Sequence, residues 1–157
     1  MYKRQNLAGR AIRVVDEWSA LASSAAVVSI ATTAMLPHLS TIGDGTLRTV
    51  LHLSLRDLVP AVVLAADNVV DDVDHVCRAD TSVHLAERAV GHRRFIRTDL
   101  PALLIETAPV SSCYDRPTIF SPFGLGILDI AVAELVCERA AARARGMRIP
   151  FAAARTA

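Results

Sequence analysis

The sequence predicts an α/β fold in which short strands alternate with helices around one parallel, doubly wound sheet. Three observations point there. A continuous apolar run at 26–31, and segments rich in Val, Leu and Ile at 48–55, 68–70 and 118–120, read as buried strands. Segments of helical period separate them. The 157 residues, 52% hydrophobic and 21% charged, are enough for one domain of ordinary size with a real core.

The elements follow in chain order. Residues 12–15 read as a short strand, and Asp16 as the cap of a helix over 17–23 with Trp18 and Leu21 on one face. The run 26–31 is continuous and apolar, as expected of a strand covered on both faces, and ends at Thr32-Thr33. Residues 37–46, with Gly43 and Gly45, form a loop. The next strand, 48–55, ends on the charged pair Arg56-Asp57. A helix over 58–66 tolerates Pro60 because the proline falls in its first turn, where a missing N–H costs little. Residues 68–70 are a third buried strand, 72–77 and 81–90 are helical, and Gly91 stops the second helix. Asp99 caps a short helix through Leu100, Leu103 and Leu104. Residues 106–117 are a loop, and 118–120 a last strand. A long helix then runs over about 125–145 to Gly146. Its first half, 127–136, is apolar on nearly every side and is expected to be buried on more than one face.

Composition excludes several function classes. The chain has 17 basic and 16 acidic residues, a net charge of +1, so nothing electrostatic points to nucleic acid or to an anionic membrane. Its only lysine is Lys3, so no Schiff base can form on residues 6–157. The opening pentapeptide, 1–5, differs in character from the rest and is set aside as a non-native leader. Cys77, Cys113 and Cys137 are few, odd in number and far apart, which fits a reducing cytoplasmic setting better than a disulfide framework. The uncharged stretch 19–43 is interrupted by Ser, Thr, His and Pro and reads as a helix entering a buried strand, not as a membrane span.

Ligands of open α/β sheets bind beyond the carboxyl ends of the strands, so Asp57 stands where chemistry is expected. Two readings of it are open: a helix cap, or a proton-transfer group. Arg56 is open between an ion-pair partner and an anion contact. Thr32 and Thr33 read either as turn residues or as contacts to a cofactor's ribose or phosphate. Ser54 and Leu55 present backbone at the same strand end. The acids of 71–80, with His75 and His84, lack the glycine and distal glutamate of a calcium loop, and helix capping explains them, so no metal site is expected. His38 and His92 read as ordinary surface histidines. No GxSxG nucleophile turn and no GxGxxG phosphate loop occurs, and Gly124-Leu125-Gly126 lacks the third glycine.

Three segments are distinctive together: 50–57 with HLSLRD, 65–78 with DDVDHVC, and 119–129 with FSPFGLGILD. They resemble the ornithine cyclodeaminase/μ-crystallin superfamily, and most of all its 2,3-diaminopropionate-biosynthesis branch, which contains N-(2-amino-2-carboxyethyl)-L-glutamate dehydrogenase of siderophore and peptide-antibiotic pathways. The resemblance covers about residues 12–149. It implies the C-terminal half of a Rossmann-like NAD-binding domain (6–124), followed by a C-terminal helix and tail (125–157) that return to a substrate domain. It further implies an NAD-dependent, homodimeric, cytoplasmic oxidoreductase acting on CH–NH. That enzyme converts the carboxyethyl-glutamate to 2-oxoglutarate and L-2,3-diaminopropionate. Asp57 falls on the catalytic aspartate. Thr32 or Thr33, Ser54, Leu55 and Arg56 fall on cofactor-lining positions, and Pro122 and Phe123 on the turn that closes over cofactor and substrate.

The Gly-rich loop, ribose-binding acid and substrate-binding Arg and Lys of the superfamily have no counterparts here. The resemblance therefore implies a fragment with an exposed sheet edge, weak NAD affinity and little activity of its own. Two alternatives stand beside it: an ornithine cyclodeaminase-like or imine-reducing enzyme with another amino-acid substrate, and a non-catalytic cofactor- or ligand-binding module.

Overall fold

The structure is a computed structural model describing residues 13–43, 45–105, 107 and 115–147. The element order is α1 (Trp18–Ala22), β1 (Val27–Ile30), β2 (Thr49–His52), α2 (Pro60–Ala65), β3 (Asp67–Val70), α3 (Val73–Val76), α4 (Ser82–Val90), β4 (Ile96–Asp99), α5 (Leu100–Leu104), β5 (Thr118–Ser121) and α6 (Gly126–Ala142). The chain divides into two units, Met1–Phe123 and Gly124–Ala157.

The first unit is an α/β, Rossmann-like fold: a five-stranded sheet of order β1-β2-β5-β3-β4, parallel throughout. The last strand in sequence, β5, lies in the middle, with Ile119 beside Val50 of β2 and Asn68 of β3. One face of the sheet carries Val28, Ile30, Val50 and Ile119, which join Val62 and Val63 of α2 and Ala86 of α4 in the core. β3 is buried at all four positions, including the polar Asp67 and Asn68, because it lies inside the sheet between β5 and β4. β1 alternates instead. Val28 and Ile30 are buried, whereas Val27 is 59% exposed, because β1 is an edge strand with only one face covered among the described residues.

Local chemistry explains most helix ends. Pro60 occupies the first turn of α2. Asp72, Thr81 and Asp99 accept from the backbone N–H groups of His75, His84 and Ala102, capping α3, α4 and α5. Gly91 ends α4 in the left-handed region at φ +73.

Several expectations are corrected. Residues 13–15 form no strand, and Val14 is 72% exposed, because no strand pairs with them. The N-cap of α1 is Glu17, not Asp16, and its side chain makes no capping bond. Strand β4 was not foreseen. It has a single buried residue, Thr98, and is held by polar contacts, with Arg97 Nε bonding Asp67 Oδ1 at 2.8 Å while Thr118 Oγ1 bonds Asp67 Oδ2 at 3.1 Å. Most of the loop expected at 106–117 lies outside the described residues.

The second unit contains α6. It ends at Ala142, before the expected 145, and none of its residues is buried. Ile127, Leu128, Ile130, Val132, Leu135 and Val136 are exposed, Leu135 the least at 44%, contrary to the burial expected of them. Apolar composition reports what a helix is able to bury, not what covers it.

Candidate active site

The site forms where β1 and β2 end side by side. Backbone N–H groups of Leu53 and Ser54 bond the carbonyl of Ile30 at 2.9 and 3.2 Å, locking the two strand ends together. The carbonyl of Asp57 accepts from the N–H groups of His38 and Leu39, both at 2.9 Å, and Leu39 bridges to Leu58. From the other side the N-terminus of α4 holds the turn. Ser82 N–H bonds Leu55 O at 3.0 Å, and Leu58 N–H bonds Ser82 Oγ at 3.1 Å.

Asp57 is fully buried at the centre of this frame. It does not cap α2, whose first turn follows Val59 without a side-chain cap, so the helix-cap reading is overturned. Thr32 Oγ1 donates to its Oδ1 and Ser54 Oγ to its Oδ2. His52 Nε2 stands 3.3 Å from Oδ2, and the other ring nitrogen, Nδ1, stands 3.2 Å from Ser121 Oγ. His38, read as an ordinary surface histidine, is 47% exposed at its side chain but brings Nε2 to 4.0 Å from Oδ1.

The electrostatics follow from burial and these partners. Burial pushes the Asp57 carboxyl up, but the hydroxyls of Ser54 and Thr32 and the nearby His52 together hold it below the usual carboxylate range. Burial lowers the pKa of His52, and the attraction of Asp57 offsets that only in part. At neutral pH the pair is therefore a carboxylate and a neutral imidazole.

The other candidates are placed as follows. Ser54 and Leu55 line a small cleft together with His52, Ser121, Pro122 and Phe123. Thr33 is exposed beside Thr32. Arg56 turns away from the carboxylate and donates from Nη2 to Ala79 O at 3.0 Å. Its Nε is buried without a hydrogen-bond partner. Among the described residues no group of three or more His, Cys, Asp or Glu is arranged to hold a metal ion. The acids of 71–80 serve elsewhere: Asp72 caps α3, Asp74 pairs with Arg93 at 2.6 Å, and Asp80 pairs with Arg88 at 2.9 Å.

Sequence reasoning missed His52, Ser121 and His38 as members of this cluster. The available signal was alternation along β2. Val50 points into the core, so His52, two residues on, points the same way, and a histidine there needs a polar partner.

A five-stranded parallel sheet with helices packed on it, and a cleft beyond its strand ends, define an α/β domain of Rossmann-like type. Solved structures that share the fold include the Δ1-pyrroline-2-carboxylate reductase of Thermococcus litoralis in complex with NADH and L-proline. It has a TM-score of 0.75 at 19% identity, with 86% of this chain and 44% of that one covered. CmnK has a TM-score of 0.75 at 22% identity, covering 96% and 46%. A probable ornithine cyclodeaminase from Bordetella pertussis Tohama I has 0.61 at 23% identity, covering 84% and 44%. This last is named for the superfamily that the sequence resembles. The chain thus spans less than half the length of these structures. No protein-family model matches the sequence, and no curated protein sequence matches it.

Proposed function

We propose that this chain supplies the proton-handling side of an NAD-dependent oxidoreductase acting on a carbon–nitrogen bond. The observation that carries this reading is the buried Asp57 carboxylate at the joined ends of β1 and β2, bonded by Thr32 and Ser54. The reductase neighbour in complex with NADH and L-proline supports a nicotinamide cofactor and an amino-acid-like substrate. The residues fit such a cofactor. Thr33 is exposed just beyond β1, and Ser54, Leu55, Pro122 and Phe123 line a small cleft beyond the strand ends, the edge where dinucleotides bind in this class of sheet. Bound NAD would accept a hydride from the substrate carbon.

The work of this chain's own residues is to hold the nitrogen and manage its proton. A secondary amine is cationic at neutral pH, and an ionised carboxylate attracts it and orients it. A carboxylate held below its usual range is a weak base. Proton uptake by Asp57 is therefore favoured where the substrate weakens the Thr32 hydroxyl bond that helps to keep it low. Water then cleaves the oxidised carbon–nitrogen bond, its oxygen going to carbon and its two hydrogens to the departing ammonium, while the proton held by Asp57 passes to solvent. For the substrate we propose N-(2-amino-2-carboxyethyl)-L-glutamate, split into 2-oxoglutarate and L-2,3-diaminopropionate for siderophore or peptide-antibiotic synthesis by a cytoplasmic homodimer. The segments 71–77 and 120–129 support that branch.

The 157 residues contain no Gly-rich phosphate loop, so they are expected to bind NADH weakly by themselves and to turn over little. Calorimetry with NADH, and mass spectrometry after incubation with NAD⁺ and the proposed amine, test this. Robust turnover by these residues alone contradicts the need for a separate phosphate loop. NADH production from that amine without 2-oxoglutarate contradicts the substrate.

A further inference from the structure

We propose that His52 is a positioning residue that locks Oδ2 of Asp57, leaving Oδ1 as the working oxygen, and that Ser121 fixes the tautomer in which it does so. The inference rests on Asp57 being the proton-handling group of the proposed function. It also makes a claim about the ligand-free chain that stands without turnover.

His52 is the last residue of β2 and Ser121 the last of the neighbouring β5. The ring is 2% exposed, so it has no role toward solvent. An ionised carboxylate only accepts hydrogen bonds, so Nε2 at 3.3 Å from Oδ2 must carry the proton. Nδ1 is then bare and accepts from the Ser121 hydroxyl at 3.2 Å. The result is a directed chain: Ser121 O–H to Nδ1, then Nε2–H to Oδ2. A neutral ring donates without placing a second charge in the core, which a buried ion pair would do at high desolvation cost.

Counting acceptor sites gives the asymmetry. A carboxylate offers about four lone-pair directions, two on each oxygen. On Oδ2 both are taken, by Ser54 and by His52. On Oδ1 Thr32 takes one. The other titratable group facing the carboxylate, His38 from residues 31–40, stands at 4.0 Å from Oδ1, beyond hydrogen-bond reach. The guanidinium of Arg56 is committed to Ala79 O. Among the described residues, Oδ1 is thus the oxygen with a vacant direction, on the side of exposed Thr32.

A merely structural histidine would fill space equally well as leucine. His52→Leu keeps bulk and removes the donor, whereas His52→Gln keeps an N–H close to the Nε2 position. The experiment is NMR on the ligand-free chain, reading the ¹⁵N shifts of the His52 ring and the ¹³C titration of the Asp57 carboxyl. Expected are a neutral Nε2–H tautomer at neutral pH, an Asp57 midpoint that moves up in His52→Leu, and a return toward the wild-type midpoint in His52→Gln. An Nδ1–H tautomer, or an Asp57 midpoint unchanged in His52→Leu, overturns the proposal. Where His52→Leu does not fold, the wild-type tautomer and the His52→Gln midpoint decide. Neither readout requires cofactor or substrate. A failure of NADH binding would therefore count against the proposed function alone, and a wrong tautomer against this inference alone.

Discussion

At the residue scale, Asp57 shows what it takes to keep a charge inside a small domain. A buried, unpaired carboxylate would be protonated or would unfold its surroundings. Here hydroxyl donors and a neutral imidazole replace its water shell. The linked pH dependence has a definite sign. His52 has a folded pKa below its ordinary 6.5, so the unfolded chain binds more protons there as pH falls below 6.5. Its contribution to stability is complete above that pH and is lost on acidification toward the folded value. Asp57, also lowered, loses its contribution only further down, below its ordinary 3.8. Urea denaturation between about pH 8 and pH 5 is therefore expected to show wild-type stability falling below about pH 6.5. In His52→Leu that limb should be shallower, and an equal slope in both proteins would contradict the buried neutral state. The position of Asp57 beyond β2 was legible in the sequence, whereas its burial, which separates it from a helix cap, was not. Nor were its partners. Ser121 lies 69 residues from His52, and His52 meets Asp57 only because the turn between them folds back.

At the element scale, the strands that carry a buried face announce themselves, and those held by polar contacts do not. Residues 68–70 of β3 read correctly from Val69 and Val70, although the strand begins one residue earlier at the polar Asp67. β4 does not, since its place depends on Arg97 reaching Asp67, a contact that no local pattern encodes. The converse error is residues 13–15, where β-branched residues suggest a strand and no neighbour pairs with it. Turns are more local and more readable. Gly91 at φ +73 ends α4 with open space around it, so Gly91→Ala meets only the backbone penalty of about 1–2 kcal/mol. Gly43, at φ +94, has Ala22 Cβ only 3.1 Å from where its own Cβ would stand. Gly43→Ala is therefore expected to destabilise more than Gly91→Ala, and Gly91→Asn less than either, because asparagine tolerates the left-handed region. Denaturation midpoints check the ranking, and a milder effect at Gly43 than at Gly91 would contradict the close approach to α1.

At the scale of the whole molecule, the parallel sheet was legible but its order was not. Alternation of strands and helices implies parallel pairing, yet nothing local tells β5 to insert between β2 and β3. That insertion brings Ser121, Pro122 and Phe123 to the site. In the second unit, α6 exposes Ile127, Leu128, Ile130, Val132, Leu135 and Val136 on one helix. Apolar surface of that extent drives association. Sedimentation velocity on the chain is expected to show concentration-dependent self-association that Ile130→Glu with Val136→Glu reduces. A monomer at all concentrations would contradict it. The site at the strand ends is best tested by mapping NADH onto the chain residue by residue. In a backbone NMR titration, weak saturable shifts are expected to concentrate at Thr32, Thr33, Ser54–Asp57, Pro122 and Phe123. Shifts that cluster elsewhere, or none at those positions at any NADH concentration, would contradict a nicotinamide site beside Asp57.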